Sequence, residues 1–247
     1  MTALFTLHGL FIFSVAQTPI SSLQTKYLHW NYTHQIVFFV ILPILILTFL
    51  KRKSTDYGLY WNRNVAASVA TLLGLTLVLP FAVDVVQGEL NWKQGNIVYV
   101  ISTLFFQLIL SGCGEELYFR GIYQGEINRV AGRPWTILGN RCGMGFLIAG
   151  LFFGLAHLGV VECFLYGSAL NLVAFLITFI IGCFLGLARE TAGSILVIGI
   201  LHGGIDTYSA LVTPTPAGQI VHVLGLGAAF WLVFSGKLRA LENSIKD

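Results

Sequence analysis

The chain has 247 residues, of which 10% are charged and 56% hydrophobic, and its formal net charge is +3. A soluble domain carries about a quarter charged residues, so this composition, with a mean hydropathy of +0.80, excludes an ordinary soluble enzyme and indicates a polytopic membrane protein. The small net charge and the lack of a basic run with interleaved aromatics exclude nucleic-acid binding. Cys113, Cys142, Cys163 and Cys183 show no CxxC spacing, which speaks against a zinc ribbon or disulfide framework and for small buried hydrophobes.

In chain order, Leu4–Val15 is apolar but shorter than the ~20 residues of a comfortable span. It reads as a short or tilted helix, with a cleaved leader ending near Ala16 as the alternative. Residues 17–34 are polar and aromatic, and His29, Trp30, Tyr32 and His34 suit a membrane interface. His34–Leu50 is the first clear span and stops at Lys51-Arg52-Lys53. Val65–Val86 follows, with a kink expected at Pro80. After a polar loop, Gln87–Asn96, one long helix runs from Ile97 through Ile127, with Gly112 or Gly114 as bending points, and Ala131-Gly132-Arg133-Pro134 ends it. Further spans are expected at Gly143–Gly159, Ala169–Ala188, Ser194–Ala210 and Gly218–Ser235, before a polar tail from Lys237. Strict alternation puts Lys51, Arg52, Lys53, Arg63, Arg129, Arg133, Arg141, Arg189, Lys237, Arg239 and Lys246 on one side, with only Lys26 and Lys93 outside, so both ends are expected in the cytoplasm. The expected fold is an all-α polytopic transmembrane bundle of about eight helices, or seven if the first run does not span, forming one membrane domain over residues 1–247. A cavity is expected between the late helices.

Three polar constellations interrupt these apolar runs. An ionisable group at membrane depth costs about 2.5–3.5 kcal/mol on insertion scales and marks a functional site by default. Within Gly112–Gly121, Glu116 and Arg120 are four residues apart and share a helix face in the favoured order. Glu115 points about 100° away, and the cation is already taken. An unpaired carboxylate in an apolar surround suits a general base. The plain alternative is a solvated helix end at the interface. His157, in Phe153-Gly154-Leu155-Ala156-His157, would alone be an ordinary core or interface histidine. His202 and Asp206 share a face of another apolar helix by their i, i+4 spacing. Polar groups in membrane helices turn inward toward one another, so a shared interior site is expected. At ~1.5 Å per residue Glu115 stands about 27 Å from the start of its helix. It meets the two histidines only if that helix is long enough to project beyond the membrane.

The ordered set EExxxR, FxxxH and HxxxD, from Ile97 to Asp206, resembles the CAAX-protease and bacteriocin-processing (CPBP, or Abi) family of intramembrane endopeptidases. The resemblance implies a bundle of about eight transmembrane helices and an intramembrane peptidase. Glu115 and His157 would activate a water, Glu116 and Arg120 would form a supporting ion pair, and His202 and Asp206 would stabilise the oxyanion, with Phe153 packing to orient His157. Asp206 departs from the asparagine of many members. An ionised aspartate repels an oxyanion, so it is expected to hold His202 as an imidazolium donor.

No cofactor is expected, although two glutamates, two histidines and an aspartate leave a divalent metal such as zinc open, without an HExxH motif. The implied substrate is a membrane-associated protein or peptide, cleaved near a hydrophobic or lipidated C-terminal tail during maturation or sorting. The implied location is a bacterial inner membrane with a cytoplasmic C-terminus. The rival from another class is a transporter or scaffold using the buried carboxylates, against which stands the lack of paired interrupted helices in matching halves.

Overall fold

The computed structural model describes residues 18–51, 53–88, 91–93, 96–158 and 169–236. The first apolar run, Arg52, Cys163 and the tail from Lys237 lie outside the described residues.

Helices begin where a side-chain oxygen can receive an otherwise unpaired backbone N–H. Thr18 caps α1 (Pro19–Leu28) and Thr215 caps α8 (Pro216–Phe234), each followed by proline in the first turn. Asn62 caps the start of α3 by accepting from Val65 N at 2.8 Å, and Asn96 caps α4 by accepting from Tyr99 N at 2.7 Å. Among the described residues, five helices are long and apolar enough to cross a membrane: α2 (Tyr32–Phe49), α3 (Asn64–Val86), α4 (Ile97–Ala131), α6 (Leu172–Ala192) and α8. The shorter apolar helices are α5 (Gly145–Ala156) and α7 (Ile195–Leu211). The helical class expected from hydropathy holds, while several ends move by up to a turn. The helix expected over Gly143–Gly159 is helical only from Gly145 to Ala156. A helix not foreseen, α1, occupies the polar aromatic stretch.

Pro43 and Pro80 are accommodated by geometry. Each follows a run of wide π-type turns, Val37–Ile41 and Gly74–Val78 respectively, which loosens the turn that the proline ring would otherwise strike. Among the described residues, two short antiparallel ribbons join the helices: β1 (Asn91–Trp92) with β4 (Val212–Thr213), and the hairpin of β2 (Trp135–Ile137) and β3 (Asn140–Cys142). The hairpin turns at Leu138 and Gly139, both at positive φ, 51° and 78°.

The centre of the bundle is α7. Its Val197, Ile198, Ile200 and Leu201 pack with Leu72 of α3, Leu185 and Ala188 of α6, and Ala229 and Val233 of α8. A helix apolar all round belongs inside protein, so α7 contributes core on nearly every face. A second cluster joins Phe38 and Phe39 of α2, Tyr118, Phe119 and Tyr123 of α4, and Ala149 and Phe153 of α5. Helix α4 therefore lies between two cores and carries the acidic stretch between them.

Polar ties close both ends. At one end Glu190 Oε1 accepts from Gln124 Nε2 and Asn128 Nδ2, both at 2.6 Å, and its Oε2 lies 3.0 Å from Arg133 Nε. At the other, buried Asp84 accepts from Tyr208 OH at 2.7 Å and Thr215 Oγ1 at 2.6 Å. Arg133 and Arg189 meet at Glu190, and Arg141 Nε donates to the Arg133 carbonyl. Lys93 lies at the opposite end, on the Ser209 carbonyl. For these four residues the grouping matches the division of charge expected from the sequence.

Candidate active site

As one helix of 35 residues, α4 is about 52 Å long at ~1.5 Å per residue, well beyond the ~30 Å of a hydrocarbon core. That length is the condition for Glu115 to meet residues from helices of opposite direction. Around the acidic stretch α4 is not regular. Wide π-type turns run over Phe105–Glu115 and again over Leu117–Tyr123. Such turns occur frequently at functional sites. Here they leave the two adjacent carboxylates facing different helices.

Glu116 is fully buried and its Oε1 faces two basic side chains. Arg120 Nη1 stands 3.1 Å away and His202 Nδ1 2.9 Å away. Arg120, also fully buried, donates from Nη2 to the Gly182 carbonyl at 3.1 Å, and its guanidinium carbon lies 4.4 Å from the centre of the Phe153 ring. The expected Glu116–Arg120 pair is therefore present, and His202 joins it from α7.

Glu115 is buried as well, but its partners are neutral. Its Oε1 accepts from Gln35 Nε2 of α2 at 3.3 Å and from Ser111 Oγ at 3.2 Å. The sequence expectation that Glu115 lacks the cation is met, whereas the expectation that it has no partner is not. Glu115 lies within electrostatic reach of His202, His157 and Asp206. Among the described residues no hydrogen bond joins it to His157.

Just past the end of α5, His157 is exposed, with Nδ1 2.8 Å from the Phe153 carbonyl and its ring 4.7 Å from the Phe153 ring. The Phe153 ring also meets His202 edge-on at 5.7 Å. Phe153 thus touches His157, His202 and Arg120, a wider packing role than orienting one histidine. His202 Nε2 lies 3.3 Å from Asp206 Oδ2. Both ring nitrogens of His202 face carboxylate oxygens, and a histidine donates from both only as the imidazolium. The Asp206 side chain is 36% exposed, against 0% for Glu116, so the polar chain Arg120–Glu116–His202–Asp206 runs from the buried interior toward an open edge.

The glycines of the acidic stretch serve helix packing. A Cβ on Gly112 would overlap the Gly199 carbonyl and lie 2.8 Å from Gly203 Cα, and one on Gly114 would lie 2.8 Å from Phe39 Cβ. Small residues let membrane helices approach closely, and this approach brings α4 against α7, hence Glu116 against His202.

Sequence reasoning missed Gln35 and Asp84. Nothing local ties Gln35 to Glu115 across 80 positions. Asp84 had a signal, since it is an acid inside an apolar span. Among the described residues, no group of three or more His, Cys, Asp or Glu side chains is arranged to hold a metal ion.

Residues 97–208 match the family model for Rce1-like proteins, described as type II CAAX prenyl endopeptidase Rce1-like. Over this region the chain is similar to Rce1-like proteins. Proteins of that description are intramembrane endopeptidases, which are hydrolases. The Rce1-like region runs from the first residue of α4 into the last turn of α7 and contains Glu115, Glu116, Arg120, His157, His202 and Asp206. No curated protein and no solved structure matches the chain.

Proposed function

We propose that the chain hydrolyses a peptide bond near the C-terminal tail of a membrane-associated protein, with Glu115 as general base. The observation that carries this reading is the division of the glutamates. Glu116 is neutralised by Arg120 and His202, while Glu115 is held by two neutral donors. Both donors fall on Oε1 of Glu115, leaving Oε2 to take a proton.

The steps need only the chain and water. Water oxygen attacks the scissile carbonyl carbon as one of its protons passes to Glu115 Oε2, with His157 holding the water from the other side. The carbonyl π electrons move to oxygen, and His202 supplies positive charge to that oxyanion. Glu115 then returns the proton to the departing nitrogen as the C–N bond breaks. A donor aimed at the developing oxyanion contributes about 10²–10³-fold, and the general base about 10²–10⁴-fold. Because Asp206 faces the Nε2 that would donate, it is read as holding the imidazolium and yielding its place to the oxyanion.

The family description, a prenyl endopeptidase acting at CAAX tails, supports a lipidated or hydrophobic C-terminal tail as the substrate feature. The basic residues gathered at one end support a cytoplasmic placement of that end, in a bacterial inner membrane.

The test uses purified chain in liposomes with a prenylated C-terminal peptide and, separately, an unprenylated peptide bearing a hydrophobic tail. Glu115→Gln and His157→Ala should each lose at least 10²-fold in turnover. Wild-type turnover from both would end the reading. Activity that persists through strong chelation is expected, and its loss with recovery on added zinc would establish a metal-dependent version instead.

A further inference from the structure

We infer that Gln35 of α2 is a positioning residue for the hydrolytic water, an inference that rests on Glu115 acting as the base. Ser111 and Gln35 both donate to Glu115 Oε1, but they are not equivalent. Ser111 sits four residues earlier on the same helix and moves with Glu115. Gln35 comes from another helix, so it alone of the two fixes the carboxylate relative to the rest of the bundle.

The other end of the amide carries the second half of the argument. Gln35 is buried, and its Oε1 has no hydrogen-bond partner among the described residues. A buried polar atom without a partner is unfavourable and calls for an explanation, of which an ordered water or a catalytic role is one. This oxygen shares its carbon with the Nε2 that contacts Glu115, so it stands beside the carboxylate. It is an acceptor only, as the side-chain carbonyl of glutamine must be once the nitrogen is assigned by a carboxylate partner.

A water poised for attack has two protons. One goes to Glu115 Oε2. The other stays on the attacking oxygen through C–O bond formation and needs an acceptor to fix its direction. Gln35 Oε1 supplies that acceptor. With both hydrogens directed at Glu115 and Gln35, a lone pair of the water is left to face the carbonyl carbon. The amide thereby aims the base with its nitrogen and the nucleophile with its oxygen.

The experiment measures kcat and KM of Gln35→Met and Gln35→Asn in the liposome assay, with thermal midpoints, beside Glu115→Gln. Gln35→Met keeps the volume and removes both polar atoms. Gln35→Asn keeps the amide but withdraws it by one methylene, and it serves if the methionine variant does not fold. Misplacing a reacting group by about 1 Å costs on the order of 10²-fold. Gln35→Met should therefore lose about 10²-fold in kcat and Gln35→Asn about 10-fold, with KM within about twofold of wild type. A rise in KM with kcat unchanged, or wild-type kcat from either folded variant while Glu115→Gln is inactive, overturns the role of Gln35 alone. Wild-type turnover from Glu115→Gln overturns the parent reading as well.

Discussion

Glu116 and Arg120 meet at 3.1 Å with neither side chain exposed, and a third charged group, His202, uses the same carboxylate oxygen. Removing one member of a buried pair strands the other, at about 3–5 kcal/mol. Arg120→Met should therefore destabilise the protein by that order, read as a fall in the thermal midpoint in detergent, whereas Glu115→Gln should leave the midpoint nearly unchanged because its partners are neutral. Asp206→Asn keeps an oxygen opposite His202 Nε2 and should retain much of the turnover, while Asp206→Ala should lose it. Equal loss in the two variants would contradict the holding role of Asp206. The split between the two glutamates was legible in the sequence, since helical spacing already assigns Arg120 to Glu116. Gln35 was not, because its contact depends on how α2 packs on α4, which no local pattern encodes.

At the scale of elements, the contact of α4 with α7 positions the charge cluster. Gly112 faces Gly199 and Gly203 with no room for a methyl group. Forcing one in should cost about 1–3 kcal/mol and push Glu116 away from His202. Gly112→Ala is thus expected to lower both the thermal midpoint and turnover, whereas Gly227→Ala on α8, where an added Cβ meets nothing within 4 Å, should change neither. The helices themselves were readable from apolar runs bounded by Lys51-Arg52-Lys53, Asn96 and Pro134. The wide turns were not, because π-type geometry in Phe105–Tyr123 follows from tertiary fit rather than from residue type. The ribbons escaped for the same reason. Two or three paired residues, such as Trp92 opposite Val212, are set by the helices that bring them together.

Across the whole molecule, the site lies between two polar closures, Glu190 with Gln124, Asn128 and Arg133 at one end and Asp84 with Tyr208 and Thr215 at the other. These ties hold α4 to α6, and α3 to α7 and α8. Glu190→Ala strands two amide donors and an arginine, and a loss of about 1–3 kcal/mol per buried unsatisfied group should appear as a lower thermal midpoint without a change in substrate preference. Charge bias makes a topological prediction as well. Cysteines introduced at Lys53 and Lys93 should label with an impermeant maleimide from opposite faces of a sealed vesicle. Labelling of both from the same face would contradict the assigned topology. The bundle class and the charge bias followed from composition. The order of burial, with the shorter α7 at the centre, did not, because hydropathy reports what is apolar and not which apolar surface faces lipid.

The most direct test compares the two neighbouring glutamates in one assay. Turnover and thermal midpoint are measured for Glu115→Gln and Glu116→Gln in the same liposomes with the same tailed peptide. The account predicts a Glu115→Gln protein as stable as wild type with turnover reduced by at least 10²-fold, and a Glu116→Gln protein with a lowered thermal midpoint. A stable Glu115→Gln protein that cleaves at the wild-type rate would contradict it.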